Sequence, residues 1–180
     1  MDFDNKMHKL TKNFQSYFLP ICLILILSFS RLIPHPSNFT PMLAVGVFSG
    51  FYFRNFLLGA LIVISSMFFG DLYLGFHDKM FFTYISLAIA VALGLLIKRL
   101  KFTEILFSGL ASSVCFFIIT NFGAWLTLEM YEKNFAGLLQ SYVMAIPFFH
   151  NTLISTFLYL IILKLLFDFI IRKKIIKTSV

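Results

Sequence analysis

Apolar runs that approach the thickness of a bilayer's hydrocarbon core recur six times along this chain of 180 residues, with only short charged clusters between them. A helix needs roughly 20 mostly apolar residues to cross about 30 Å of hydrocarbon at about 1.5 Å per residue. The runs fall at Tyr17 to Ile33, Phe39 to Phe53, Phe56 to Leu74, Phe81 to Ile97, Ile105 to Leu126 and Phe148 to Ile171. They lack the alternation of barrel strands, and an open sheet edge has no hydrogen-bonding partner in lipid, so helix is the assignment. Charged residues make up 13% of the chain, against roughly 25% in a soluble domain. The expectation is an all-α polytopic membrane helix bundle of about six transmembrane helices, folded as one domain over residues 1–180. Residues 1–16 form a cytoplasmic leader and 172–180 a basic cytoplasmic tail.

The first span is expected to stay attached rather than to be removed as a signal peptide. Its lysine-bearing leader is long, Ser28 and Ser30 are poorer cleavage residues than Ala, and a polar motif follows at once at Arg31. Cys22 and Cys115 lie within predicted spans and read as small apolar fillers, neither a disulfide framework nor a metal site.

Basic residues near span ends are retained in the cytoplasm. Lys6, Lys9 and Lys12 precede the first span, Arg54 follows the second, Lys98, Arg99 and Lys101 follow the fourth, and Arg172, Lys173, Lys174 and Lys177 follow the last. The opposite side holds Arg31, Lys79 and Lys133. Both termini are therefore placed in the cytoplasm of a bacterial inner membrane, which requires an even number of spans. That parity counts the second run as a span, although Pro41 near its start also suits a re-entrant hairpin. The formal charge of +7 faces anionic headgroups of the lipid bilayer, and nucleic acid is excluded as a partner for want of a basic folded surface.

Polar groups inside a membrane are costly and usually face the bundle interior or water. Here they gather at the outer ends of the spans: Arg31, His35 and Asn38 after the first, Asp71 and His77 after the third, Asn121 and Trp125 on the fifth, and His150 and Asn151 at the start of the sixth. Asn121 and Trp125, four residues apart, share a helix face. The segment Phe135 to Ile146, with Gln140 and Tyr142, reads as an interfacial helix that turns into the membrane at Pro147 and lies over the site as a lid. Three prolines, Pro34, Pro36 and Pro41, stiffen the first loop so that it can cap a cavity at little ordering cost. Each reading has a plainer competitor: Arg31 with Asp71 as a structural ion pair, Trp125 and Tyr142 as interfacial belt aromatics, Asn121 and Asn151 as interhelical hydrogen-bonding groups. Small-residue pairs at Gly46 with Gly50, Ser66 with Gly70 and Ala88 with Ala92 suit close helix packing.

The strings Arg31-Leu-Ile-Pro-His-Pro-Ser-Asn-Phe-Thr-Pro41, Gly70-Asp71-Leu72 with Gly75-Phe76-His77, Asn121-Phe-Gly-Ala-Trp125, and Ala145-Ile-Pro-Phe-Phe149 with Asn151-Thr152 resemble a family of small, uncharacterised bacterial membrane transport proteins. That family is similar in turn to the substrate-binding S components of energy-coupling-factor (ECF) transporters. The resemblance implies an S-component-like six-helix bundle that captures a vitamin-like small-molecule solute from the outer side. It implies as partners a coupling transmembrane subunit and its paired ATPases, since this chain has no phosphate-binding loop. The first span, rich in Leu and Ile, lacks the small-residue stripe many S components use for docking. Met1-Asp2-Phe3 does not match the amine-and-histidine start of cobalt and nickel members, so neither a metal nor a cofactor is expected.

The expected function is therefore solute binding for transport, with no enzymatic activity, through Arg31, His35, Asn38, Asp71, His77, Asn121, Trp125, Tyr142, His150 and Asn151. An amide-rich and aromatic lining favours a flat, hydrogen-bonding ligand. Two rival readings are a membrane-embedded enzyme, with Asp71 and His77 or His150 as acid and base on a lipid-like substrate, and a structural or assembly subunit.

Overall fold

The computed structural model describes residues 20–178, with side chains as far as residue 169. The 1–16 leader and the side chains of the 172–180 tail lie outside the described residues. All the described secondary structure is helical, in the order α1 (Pro20–Ser30), α2 (Met42–Phe53), α3 (Phe56–Leu74), α4 (Met80–Leu96), α5 (Phe102–Thr127) and α6 (Phe135–Thr178). Local chemistry sets several ends. Asn55 caps α3 by accepting the Leu58 N–H at 3.1 Å, and Asn134 caps α6 by accepting the Gly137 N–H at 2.9 Å. Glu104 in the first turn of α5 accepts the backbone N–H groups of Lys98 and Arg99, tying down the turn from α4.

The helix at the centre is the shortest one whose full length is described. Met42 to Val47, Ser49 and Gly50 of α2 are all buried, so the helix is enclosed on every side, and it packs against α3, α4, α5 and α6. Close approach to α4 makes that enclosure possible. A Cβ on Gly50 would lie 2.1 Å from the Val91 carbonyl oxygen, and one on Gly94 would lie 1.9 Å from that of Val47. Glycine on both helices thus permits backbone-to-backbone contact that no other residue could share. Of the small-residue pairs named above, Gly46 and Gly50 do face α4. On α4 itself the buried pair is Ala90 and Gly94, because Ala92 points outward.

Large apolar side chains cover the outside of the bundle, among them Leu57, Leu61, Leu96, Phe107, Ile118, Ile154 and Leu165. Much of the buried inventory is instead hydroxyl-bearing: Ser49, Ser66, Ser86 and Ser112 are buried and donate to carbonyls three or four residues back in their own helices. Such bonds satisfy a hydroxyl where water is absent. An apolar exterior around a hydroxyl-lined interior is the distribution expected when lipid is the solvent. Three helices, Phe56–Leu74, Phe102–Thr127 and Phe135–Phe169, are long and apolar enough to cross a membrane, which marks the chain as a membrane protein.

Two expectations need correction. The second run becomes a helix only from Met42, and at 12 residues it extends about 18 Å, well short of the hydrocarbon thickness. Nor does the chain turn at Pro147: α6 is one continuous helix from Phe135, with Pro147 inside it. The residues before the proline are held along α5, where the Tyr142 hydroxyl donates to the Ile118 carbonyl at 2.9 Å and the Ser141 hydroxyl to that of Asn121 at 3.2 Å. Those contacts hold the near side of the helix against α5, and Pro147, which has no N–H, leaves the Val143 carbonyl without its i+4 donor.

Gly50→Ala and Gly94→Ala should each destabilise the protein by at least about 2 kcal/mol, since the new methyl meets backbone rather than a movable side chain. Ala92→Leu, on the exposed face of α4, should leave stability unchanged. Reversible unfolding in mixed micelles would measure all three.

Candidate functional site

The short central helix leaves a space above it. Arg54, at the end of α2 in the left-handed region (φ 52°), donates to the carbonyls of Leu95 and Lys98, so the C-terminal ends of α2 and α4 lie together. With 12 residues in α2 and 17 in α4, the α2 N-terminus then falls about 7.5 Å short of the start of α4. A cavity of about 720 Å³ occupies this recess, with Met42 and Leu43 of α2 among its lining residues.

The three loops at the same end contribute to its lining: Ser37 and Asn38 from the first, His77 and Lys79 from the second, Leu128 and Tyr131 from the third. The proline-rich loop is strapped to α6. Asn151 Nδ2 donates to the Ser37 carbonyl at 3.0 Å, Ser155 Oγ reaches the Asn38 carbonyl at 3.4 Å, and the Phe39 ring meets Tyr159 edge-on at 6.3 Å. Asn38 turns the loop with φ 63°, a conformation asparagine tolerates better than most residues.

One ion pair holds the loop to α3 on the other side. Arg31 Nη2 lies 2.8 Å from Asp71 Oδ1, Arg31 Nη1 donates to the Met67 carbonyl at 2.7 Å, and the Tyr84 hydroxyl donates to Asp71 Oδ2 at 2.8 Å. The side chains are 12% and 1% exposed respectively, so each charge depends on its partner. Gly70 makes the slot: a Cβ there would lie 2.3 Å from Arg31 Nη1.

Of the residues singled out in the sequence, Arg31, His35, Asn38, His77 and Asn121 line the cavity, and Asp71, Trp125, Tyr142, His150 and Asn151 do not. Asp71 is turned into the ion pair. Trp125 folds the α5–α6 turn, its indole N–H donating to the Glu132 carbonyl at 2.9 Å while Lys133 Nζ donates to the carbonyls of Leu128 and Trp125. Tyr142 and Asn151 are tethers, as described. His150 is exposed: it is level with the cavity, between the lining residues Phe149 and Thr152, but on the outward face of α6. Gln140 is exposed and lines nothing here, so the segment before Pro147 is a wall beside α5 rather than a lid.

Sequence reasoning passed over Thr152, Ser155 and Thr156, although their i, i+3, i+4 spacing puts them on one face of α6. All three line the cavity. Lys79, counted only as an orientation signal, lines it too, and its ammonium has no partner among the described residues. Partial desolvation at the mouth, reinforced by Lys79 and Arg31, holds the His77 imidazole below its ordinary range against the opposing pull of Asp71 and Asp78. No group of His, Cys, Asp and Glu side chains placed to hold a metal ion occurs among the described residues.

The model of DUF6580, a family of unknown function, matches residues 11–178, and the chain belongs to that family. No curated protein and no solved structure matches it.

Asp71→Asn should destabilise the fold by about 3 kcal/mol, because Arg31 is left charged and largely buried without its counter-ion, while Tyr84→Phe should cost about 1 kcal/mol. Thermal unfolding of the two variants in one detergent tests the order. His77 should titrate below about 6.5, the value of an unperturbed imidazole. The unfolded chain then binds the proton more readily, so the His77 contribution to stability is complete above that pH and declines as pH falls through it. Carbon-13 histidine spectra of the wild type and His77→Gln across pH 5 to 8 would identify the shifted resonance.

Proposed function

We propose that this DUF6580 protein is a solute-binding subunit for transport, which takes up a small molecule from the outer side of a bacterial inner membrane. The observation that carries the reading is the cavity: about 720 Å³ of space lined by amides, hydroxyls and imidazoles, set within a bundle whose outer surface is apolar. A volume of that size suits one vitamin-sized molecule. Its aromatic and thioether wall, Phe116, Phe117, Met144, Phe148 and Phe149, would hold an apolar or flat body, and Asn38, Asn121 and the α6 hydroxyls would orient polar groups.

In the proposed topology all six helices belong to the membrane unit and both termini face the cytoplasm. The placement of Arg54, Lys98, Arg99 and Lys101 at the end remote from the cavity supports this orientation, because basic residues mark the cytoplasmic side. The cavity then opens outward. Transport would draw its energy from a coupling membrane subunit with ATPases, as in the ECF systems to which the sequence motifs are similar. Against the rival enzyme reading, Asp71 is already engaged by Arg31 and Tyr84 and lies outside the cavity lining.

Native mass spectrometry of protein gently extracted from its own membranes should reveal a retained adduct of roughly 100–500 Da. Asn121→Ala should fold normally and weaken retention at least about tenfold, the effect of one lost hydrogen bond to a buried ligand. Ligand-free spectra together with an unchanged variant would count against transport.

A further inference from the structure

The floor of the cavity has a chemistry of its own. Helix α2 begins there without a side-chain cap: Pro41 occupies the N-cap position, and no side chain bonds to the first turn. The first intrahelical donation near this end comes from the Val45 N–H to the Pro41 carbonyl. The N–H groups of Met42, Leu43 and Ala44 therefore have no backbone acceptor within the helix, and at a helix start such groups point out along the axis. Met42 and Leu43 line the cavity, so their two donors lie at its base, while Ala44 is buried behind them.

A second observation, on a different helix, points the same way. Thr156 of α6 lines the same cavity, is 1% exposed, and its Oγ1 has no hydrogen-bond partner. Its neighbours on that face are satisfied, Thr152 by the Phe148 carbonyl and Ser155 by those of Thr152 and Asn38. A buried hydroxyl left without a partner costs free energy unless something else supplies one. The Ser155 bond to Asn38 places this stretch of α6 beside the segment that leads into α2.

Charge completes the case. Among the described residues no Asp or Glu lines the cavity, whereas Arg31 and Lys79 do, and Lys79 is unpaired. The partial positive charge of the helix N-terminus adds to that of Lys79, the charge of Arg31 being answered by Asp71.

We infer that the cavity takes an anionic solute, a monocarboxylate with an apolar body, whose carboxylate sits on the uncapped N-terminus of α2 and accepts a hydrogen bond from Thr156. The inference rests on the solute-binding reading and deepens it by naming the substrate class. Two backbone donors, of Met42 and Leu43, and one hydroxyl suit the acceptor sites of one carboxylate, and the described lining offers no unpaired guanidinium of the kind a phosphate group commonly recruits. Half-helices that end inside a membrane bundle can receive anionic groups on the same principle. The apolar body would rest against Phe116, Phe148 and Phe149.

The test uses the full chain in detergent and three matched probe pairs: phenylacetate with phenylacetamide, 3-methylbutanoate with its amide, and nicotinate with nicotinamide, each at millimolar concentration. At least one carboxylate should raise Tm by about 2 °C or more while its amide does not. Thr156→Val should match or exceed the wild-type Tm without ligand, because it removes an unsatisfied hydroxyl, and should lose the carboxylate-induced rise; Thr156→Ser should retain it. Equal shifts from acids and amides, or a shift that survives Thr156→Val, overturn the anion site while leaving solute binding intact. If no probe shifts Tm, native mass spectrometry decides: a retained acid supports the site, a retained neutral molecule overturns it alone, and an empty protein overturns both it and the transport reading.

Discussion

The contact between α2 and α4 governs the architecture. Two glycines, Gly50 and Gly94, each face a carbonyl oxygen of the other helix, and no side chain intervenes. Because the backbones meet there, a helix of only 12 residues can be surrounded by four others and still be well packed. The cavity is a by-product of that arrangement. Longer helices continue upward where α2 has already ended, and the proline-rich segment closes over the gap by bonding to α3 on one side and α6 on the other.

Buried polarity is managed in two ways. Within the lower bundle, hydroxyls fold back on their own helices, so polar atoms are present without linking one helix to another. At the cavity end, where Thr83, Thr120, Asn121 and Thr152 still bond back to their own helices, long-range bonds join them: Arg31 to Met67 and Asp71, Tyr84 to Asp71, Asn151 to Ser37, Tyr142 to Ile118. The polar residues at this end thus divide into those that build the walls and those that face the space inside.

That division explains what the sequence could convey. The helical class and the apolar stretches were readable because lipid imposes a length and a composition on every span, and the polar clustering was readable because charge is so sparse. The split between Asp71 and His77, or between Trp125 and Asn121, was not. Asn121 and Trp125 do share a stripe of α5, yet the turn at Glu132 takes the indole while the amide stays inside. Pro147 misled for a related reason: a proline predicts a break when the chain is considered alone, but bonds from Ser141 and Tyr142 to α5 fix the direction on the near side. Thr156 stands beside Thr152 and Ser155 in a span made mostly of Leu, Ile and Phe, and the absence of a partner sets it apart from those two.

Helix α6 has a mechanical consequence. Its 44 residues make a rod of about 66 Å, more than twice the hydrocarbon thickness, and no loop interrupts it between the wall at Met144 and the far end of the molecule. Pro147 sits one turn beyond Met144, so the missing backbone bond there falls between the cavity wall and the remainder of the helix, and any bend of the long element is concentrated at that point.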